Sequence, residues 1–173
     1  MSPIKLLSID PSSTLTGYAI MDERVNLIEA GLLRPRKTKD DIWDRIEAMC
    51  DGLMTLITEV NPTHCIIEVP TGRHARLPAM ASGSLVKYGC AVGVMWAVAY
   101  LEVPHTYAVP TTWTGGKPKK IRAQSVALRF PNYSTEHDKG LDMADAIGMG
   151  VWWLGSMAGQ YAKRMVAKHK KGK

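Results

Sequence analysis

Two hydrophobic periodicities follow one another near the start of the chain, and their order constrains the fold. Short apolar runs come first, over 4–10, 17–21 and 25–33, and they are separated by turn-forming residues. From Asp40 onward the apolar residues recur with a period of about 3.6, which ends at Asn61 and the proline after it. This order predicts an antiparallel meander of short strands followed by an amphipathic helix.

The rest of the chain alternates between strand and helix patterns. The predicted elements are strands over 64–69 and 104–109, helices over 78–101, 119–130 and 141–157, and a loop over 131–140. Because strands that alternate with helices extend a sheet in parallel, we expect an α/β fold with a mixed sheet and helices on its faces.

Length and composition favour one domain. A chain of 173 residues with 46% hydrophobic residues can bury one substantial core and is short for two. We expect a single domain over 1–158 and a basic, flexible tail over 159–173. Three cysteines without zinc-ligand spacing and an N-terminus without a secretory pattern predict a cytoplasmic protein. The longest apolar stretch, 88–101, is too short to span a bilayer, so no membrane association is expected.

Four acidic residues stand at the ends of these predicted elements. Asp10 and Glu68 each close an apolar strand, although charged residues are seldom buried without a partner. Asp142 and Asp145 are three positions apart on a predicted helix, so their side chains project from one face. If the two strands are neighbours, the helix can place its acids across them. We therefore expect the carboxylates to share one site.

Carboxylates in one site need a compensating cation, because each close pair repels by roughly 4 kcal/mol at an effective dielectric near 20. Mg²⁺ accepts carboxylate oxygens and keeps water and phosphate oxygens as its other ligands. We expect two such ions, for which Mn²⁺ can substitute, acting in phosphodiester hydrolysis. Each acid alone could instead be a helix cap, a turn residue or a surface ion pair, and Asp142 is well placed for the N-cap role.

The charge is distributed unevenly along the chain. Residues 1–68 carry 7 basic and 11 acidic residues, giving −4, whereas residues 69–173 carry 15 and 5, giving +10. The basic residues cluster over 117–129 and in the C-terminal tail, which suits a nucleic acid because each neutralised phosphate releases counterions. The alternative is a solvated face and a solubilising tail.

Three runs around the acids resemble the motifs of the RuvC-type Holliday junction resolvases, in the RNase H-like nuclease superfamily. The runs are Leu7-Ser8-Ile9-Asp10-Pro11 with Thr16-Gly17-Tyr18-Ala19, then Ile66-Ile67-Glu68, then Asp142-Met143-Ala144-Asp145-Ala146. Their order and spacing match as well as their residue types, and the resemblance covers roughly residues 4–153.

The resemblance implies an RNase H-like fold with a mixed five-stranded sheet flanked by helices. It also implies a homodimer that makes paired, magnesium-dependent nicks across four-way junction DNA. In this family pattern Asp10 would bridge the metals, Glu68 and Asp145 would complete their shells, and Asp142 would hold or orient the second ion. Family members also have a helpful lysine after the fifth strand. The matching region contains Lys117, Lys119 and Lys120, and spacing does not choose among them.

Several positions depart from the family pattern. Familiar bacterial enzymes place an aromatic residue three positions after the second acid, where this chain has Thr71. Arg73 and Arg76 follow it and are expected to contact DNA phosphates, as are Arg122 and the three candidate lysines. His137 and Asp138 precede the last helix and compete with Asp142 as the fourth ligand.

The long apolar helix has two interpretations. Gly89, Gly93 and Ala97 recur every fourth residue and form a strip on which another helix could approach closely. A helix that is apolar nearly all round is expected to be buried on every side. It is therefore either packed within the monomer or paired with its copy across a two-fold axis.

Two other functions are compatible with the same residues. One is an RNase H-like nuclease that cuts RNA/DNA hybrids or flapped DNA with the same acids. The other is a non-catalytic junction-binding protein whose basic surface does the work.

Overall fold

The computed structural model describes residues 3–35, 41–69 and 83–156. Its elements, in chain order, are β1 Lys5–Asp10, β2 Thr16–Asp22, β3 Leu27–Leu33, α1 Ile42–Val60, β4 His64–Glu68, α2 Ser84–Glu102, β5 His105–Ala108, α3 Pro110–Trp113, α4 Lys119–Arg129 and α5 Asp142–Gly155, with a 3₁₀ turn at Thr135–His137. Arg73, Arg76, the predicted tail and the first residues of the predicted long helix lie outside the described residues.

The strands form one five-stranded sheet in the order β3-β2-β1-β4-β5. The β1–β2 and β2–β3 pairs are antiparallel, whereas the β1–β4 and β4–β5 pairs are parallel. This confirms the predicted mixed sheet. Because β1 and β4 are parallel neighbours, with Ile9 opposite Ile67, their carboxyl ends lie side by side.

Side chains of the central strands alternate between two cores, as the two-residue period of a strand requires. Leu6 and Ile66 belong to a core that α4 and α5 cover. Leu7 and Ile67 belong to a second core on the opposite face, which α1 and α2 cover. The fold is therefore three layers, with Ser8 of the central strand on the α5 side.

Helix α1 matches its predicted ends closely. Asp41 caps its N-terminus by accepting from the backbone N–H of Trp43 and Asp44. Asn61 closes it in the left-handed conformation, as the Asn61-Pro62 stop signal predicts. The short helix α3 was not predicted, because its four residues are too few to show a periodicity.

Helix α2 departs from the expectation that it is buried on every side. Ala91, Met95 and Ala99 pack in the core, but the other face is open in the single chain. The exposed residues along this face are Val86, Gly89, Gly93, Val94, Ala97, Tyr100 and Leu101. Packing among the described residues therefore does not bury that face.

By length and composition alone, residues 85–102 of α2 are long and apolar enough to cross a membrane, contrary to the expectation from residues 88–101. A single helix of this kind is weak evidence, because helices that pack in soluble proteins meet the same criterion.

Helix α5 lies unusually close to the sheet. The Ser8 hydroxyl donates a buried hydrogen bond of 2.7 Å to the backbone carbonyl of Ala146. A Cβ atom at Gly17 would overlap the backbone carbonyl of Asp142, so only glycine permits this approach. Gly17 is also the β2 residue that pairs with Asp10. The glycine of the first acidic motif thus brings the start of α5 against the end of β1.

We predict that Gly17→Ala lowers the free energy of unfolding by about 1–3 kcal/mol or more, because backbone atoms must move to admit the methyl group. Chemical denaturation measures the change. Gly52→Ala in α1 is the matched control, since a methyl group there meets only Leu33 at an ordinary 3.4 Å, and alanine favours a helix. Equal stability of the two variants would contradict the close approach.

Candidate active site

The four predicted acids converge at one edge of the sheet. Asp10 and Glu68 are the last residues of β1 and β4, and Asp142 and Asp145 occupy the first turn of α5. Asp10 lies two positions after Ser8, so it faces α5 as Ser8 does. The sequence prediction that strand ends and one helix face supply a common site agrees with this placement.

The ammonium group of Lys119 lies among these carboxylates. Its Nζ atom donates to Asp142 Oδ1 at 2.6 Å and lies 3.3 Å from Asp145 Oδ2 and 3.8 Å from Asp10 Oδ2. Lys119 is the first residue of α4, which packs against α5. Of the three candidate lysines, it is the one that the structure places at the acids.

Arg122 provides a second cation from α4. Its Nε and Nη2 atoms donate to the two carboxylate oxygens of Asp145 at 2.9 and 2.7 Å. Its Nη1 atom donates to the backbone carbonyl of Lys117 at 2.6 Å. A bidentate pair of this kind fixes the carboxylate in both position and orientation. Sequence reasoning assigned Arg122 to DNA contact, whereas here it holds Asp145.

Trp113 connects the strand acids to this cation. Its indole Nε1–H donates to Glu68 Oε2 at 2.7 Å, and the Arg122 guanidinium carbon lies 5.0 Å from its ring centre. Gly148 of α5 leaves room for the ring, since a Cβ atom there would lie 3.3 Å from it. Glu68 and Asp145 are thus linked through Trp113 and Arg122.

The sequence analysis did not identify Trp113 as the partner of an acid. The available signal was its position in the Pro110–Trp113 segment directly after the fifth strand, where a side chain reaches the carboxyl ends of the neighbouring strands.

Burial and neighbouring acids disfavour the charged forms of the two strand acids. Burial, followed by the charge of Glu68, raises the pKa of Asp10 well above its usual range, although Lys119 acts in the opposite direction. Burial also raises the pKa of Glu68, despite the hydrogen bond from Trp113. Both strand acids are therefore costly to ionise without a further cation.

Lys119 and Tyr88 respond to the same negative charge. Burial alone would lower the pKa of Lys119, but Asp10, Asp142 and Asp145 outweigh it and the pKa is raised. The ammonium group therefore stays protonated at neutral pH. Burial together with Glu68 and Asp10 raises the pKa of Tyr88, so this α2 hydroxyl, which sequence reasoning missed, also keeps its proton.

Asp138 has a structural role rather than the ligand role that was left open for it. Its fully buried carboxylate accepts from the Tyr133 hydroxyl at 2.8 Å and from the backbone N–H groups of Met143 and Ala144 at 3.2 and 2.9 Å. These bonds anchor the N-terminus of α5, so Asp142 is not needed as its cap. His137 is exposed in the 3₁₀ turn.

Two other predicted residues lie near the cluster but make no described contact with its carboxylates. The side chains of Lys117 and Lys120 are exposed on either side of the start of α4. They remain available to a ligand that approaches from solvent, as the predicted DNA contacts require.

The donor set fits divalent metal. Four ionised carboxylates facing Lys119 and Arg122 leave a net charge of −2, which bound divalent cations would offset. Carboxylate oxygens are the ligands that Mg²⁺ and Mn²⁺ prefer. Among the described residues, no three acidic, histidine or cysteine side chains already stand in a metal-binding cluster. The ammonium group of Lys119 holds the central position instead.

We predict that Arg122→Lys keeps the fold and the charge but loses the two parallel bonds to Asp145. Activity or metal affinity should fall by roughly 10- to 100-fold, as for other residues that orient metal ligands. Titration of the purified variant with Mg²⁺ or Mn²⁺ measures the effect, and the exposed Arg24→Lys is the control. Unchanged metal dependence in Arg122→Lys would show that Asp145 needs no such support.

Similar solved structures include "T. thermophilus RuvC in complex with Holliday junction substrate", with a TM-score of 0.63 and 16% identity over 84% of this chain and 89% of that one. The yeast mitochondrial Holliday junction resolvase Ydc2 has a TM-score of 0.56 and 15% identity over 87% and 79% of the two chains. At these identities the likeness establishes the RNase H-like α/β fold.

Similar sequences carry the comparison further. The crossover junction endodeoxyribonuclease RuvC of Oleidesulfovibrio alaskensis is 30% identical over 161 residues, covering 87% of this chain and 90% of the relative. That of Syntrophotalea carbinolica is 25% identical over 154 residues, covering 86% and 92%. Residues 6–151 match the family described as "Crossover junction endodeoxyribonuclease RuvC". With the match running from β1 into α5 and including all four acids, this chain belongs to the RuvC family of endodeoxyribonucleases.

Proposed function

We propose that this protein is a metal-dependent endonuclease that resolves four-way DNA junctions by paired symmetric nicks. The observation that carries the proposal is the convergence of Asp10, Glu68, Asp142 and Asp145 around Lys119 in a chain of the RuvC family. A non-catalytic binding protein would gain nothing from four acids that repel both one another and the DNA phosphates.

Asp10, Glu68, Asp142 and Asp145 would hold the metal, for which we propose two Mg²⁺ ions that Mn²⁺ can replace. When bound, such ions supply an activated water and stabilise the leaving 3′-oxygen. The raised pKa values of Asp10 and Glu68 support this assignment, because a bound cation favours the charged form of each carboxylate and so opposes the effect of burial and of the neighbouring acids.

The protein's own residues would prepare the site for the phosphodiester. Arg122 and Trp113 orient the carboxylates of Asp145 and Glu68, so these ligands need not reorganise when DNA arrives. Lys119 stays protonated, and its ammonium group would contact a phosphate oxygen seated above the acids. We therefore assign the catalytic lysine to Lys119.

The basic residues around the start of α4 would bind the DNA backbone. Lys117 and Lys120 are exposed beside the acids, and the segment from 103 to 135 contains no acidic residue. Phosphates drawn to these side chains would pass close to Lys119 and the carboxylates. The predicted contacts from Arg73, Arg76 and the tail stay predictions.

A homodimer is the second part of the proposal, and the open face of α2 supports it. Val86, Tyr100 and Leu101 are 68%, 64% and 78% exposed, although a monomeric protein gains by burying such residues. Between them, Gly89 and Gly93 have no atom within 4 Å of a built Cβ, so a second helix can approach closely. A two-fold pair would present two identical sites to a two-fold junction.

The first experiment offers the purified protein an immobile four-way junction, a matched duplex and an RNA/DNA hybrid, each with Mg²⁺, with Mn²⁺ and with EDTA. We expect paired nicks on the junction, dependent on metal. Asp10→Asn should lose at least about 100-fold in cleavage rate while binding is retained, since a metal ligand is removed.

Asp51→Asn, the same chemical change on the exposed face of α1, is the control and should cut normally. Preferential cutting of the hybrid would favour the RNase H-like alternative. Metal-independent binding without any cleavage would favour the junction-binding alternative. Either outcome rejects the proposal.

The dimer is tested by light scattering. The natural chain should show twice its 19.0 kDa mass, whereas Ala97→Glu should shift it toward a single chain because a charge would be buried between apolar helices. Leu128→Glu, on the 88% exposed Leu128 of α4, is the control and should leave the mass unchanged. A single-chain mass for the natural protein would reject the dimer.

A further inference from the structure

A cavity of about 280 Å³ lies next to the acids, between α3, α4 and α5. Trp113 and the loop after it form one wall, Arg122, Ser125 and Arg129 of α4 form the second, and Trp152 of α5 forms the third. Small-molecule pockets in proteins usually have volumes of roughly 300 Å³ or more. This cavity is close to that lower limit and has room for one small group.

The lining of this cavity combines aromatic rings with cations. The rings are Trp113, Phe130 and Trp152, and the cations are Lys117, Arg122 and Arg129. The guanidinium carbon of Arg122 lies 5.0 Å from the centre of Trp113, and that of Arg129 lies 5.3 Å from the centre of Phe130. Among the described residues, no acidic side chain lines the cavity. Such a lining fits a ligand with a flat apolar part and a negative charge, which describes a nucleotide.

The cavity and the acid cluster share a wall. Trp113 and Arg122 line the cavity, and their N–H groups also bind Glu68 and Asp145. An occupant of the cavity is therefore separated from the acids by single side chains. A DNA strand whose phosphodiester lies at the acids can reach the cavity with a neighbouring nucleotide.

We propose that this cavity binds one unstacked nucleotide of the DNA strand beside the cleaved bond. This rests on the proposed nuclease function and adds a base-binding subsite to it. The base stacks against the tryptophan rings, and its phosphate contacts Arg129 at the outer end. Sequence reasoning found no stacking platform, because Trp113 and Trp152 are 39 positions apart and only the fold brings them to one cavity.

We expect the nucleotide in the cavity to belong to a DNA strand and not to be a free nucleotide. Lys117 and Arg129 are exposed at the cavity, where they can contact the phosphates that continue beyond the bound base. Those phosphates add affinity that a free nucleotide cannot obtain. The cavity also opens beside a catalytic cluster that acts on a phosphodiester chain.

The first test measures binding to the immobile four-way junction in an Asp10→Asn background, with Mg²⁺ present. Ser125→Leu projects a larger side chain into the cavity and should weaken binding by roughly tenfold, the loss expected for one stacked base. Gln124→Leu, the adjacent exposed residue that does not line the cavity, should bind as the parent does. Equal affinities of the two variants would overturn the proposal.

The salt dependence of the same binding tests the phosphate contact. Arg129→Gln should reduce the slope of log K against log salt by about 0.9, since one phosphate contact is removed. Arg24→Gln, in the turn at the far end of the sheet, removes the same charge and should leave the slope unchanged. Equal slopes in the two variants would reject the contact.

Photo-cross-linking identifies the occupant. Junctions with 5-iododeoxyuridine at single positions around the cut should cross-link at one position to Trp113 or Trp152, and Ser125→Leu should reduce that yield. Cross-links to other residues only would overturn the proposal. So would saturable binding of free deoxynucleoside monophosphate at the cavity without any cross-link from the junction.

The wild-type cleavage assay distinguishes failure of the base-binding subsite from failure of the proposed nuclease function. If the wild type cuts the junction but Ser125→Leu binds normally and no tryptophan is cross-linked, the subsite is wrong and the nuclease function stands. If the wild type cuts no DNA with any metal, the proposed function itself fails.

Discussion

Mutual repulsion among four carboxylates is the constraint on which this structure depends. Each close pair costs about 4 kcal/mol at an effective dielectric near 20, so the acids stay together only where the fold supplies opposing charge. Lys119 and Arg122 supply it directly. The positive end of the α5 dipole adds to it, because Asp142 and Asp145 both lie in the first turn.

The scaffold resists this repulsion by fixing the two halves of the site separately. The parallel pairing of β1 with β4 holds Asp10 and Glu68 at neighbouring strand ends. The contact at Gly17 and the Ser8 hydrogen bond hold α5 against the sheet, while Asp138 anchors its first turn. The acids are thus set by backbone contacts, and rotation of their side chains is limited by Trp113 and Arg122.

Much of the sheet and the acid set could be predicted from sequence. An acid that ends an apolar strand is rare enough to identify Asp10 and Glu68, and helical spacing identifies the face that Asp142 shares with Asp145. The mixed five-stranded sheet was predicted and is confirmed. These features depend on local patterns that a single sequence displays.

The supporting contacts could not be predicted, because they join residues that are distant in sequence. Trp113 reaches Glu68 across 45 positions, and Arg122 reaches Asp145 across 23. Neither residue type specifies an acidic partner from its neighbours alone. The hydrogen-bond partners that show the structural role of Asp138 are only five and six positions away in sequence. Whether its side chain points toward them depends on how the loop folds back on α5. Which face of α2 stays exposed likewise depends on how the other helices pack against it.

Both cations of the site come from one helix face. Lys119 and Arg122 are three positions apart on α4, and both contact the carboxylate of Asp145. Replacing either residue changes the electrostatic environment of the other. The effects of the two substitutions on activity or stability therefore will not be additive, as they are for distant sites. A natural variant that replaces one of these two residues must therefore also replace the other, together with the helix that carries them.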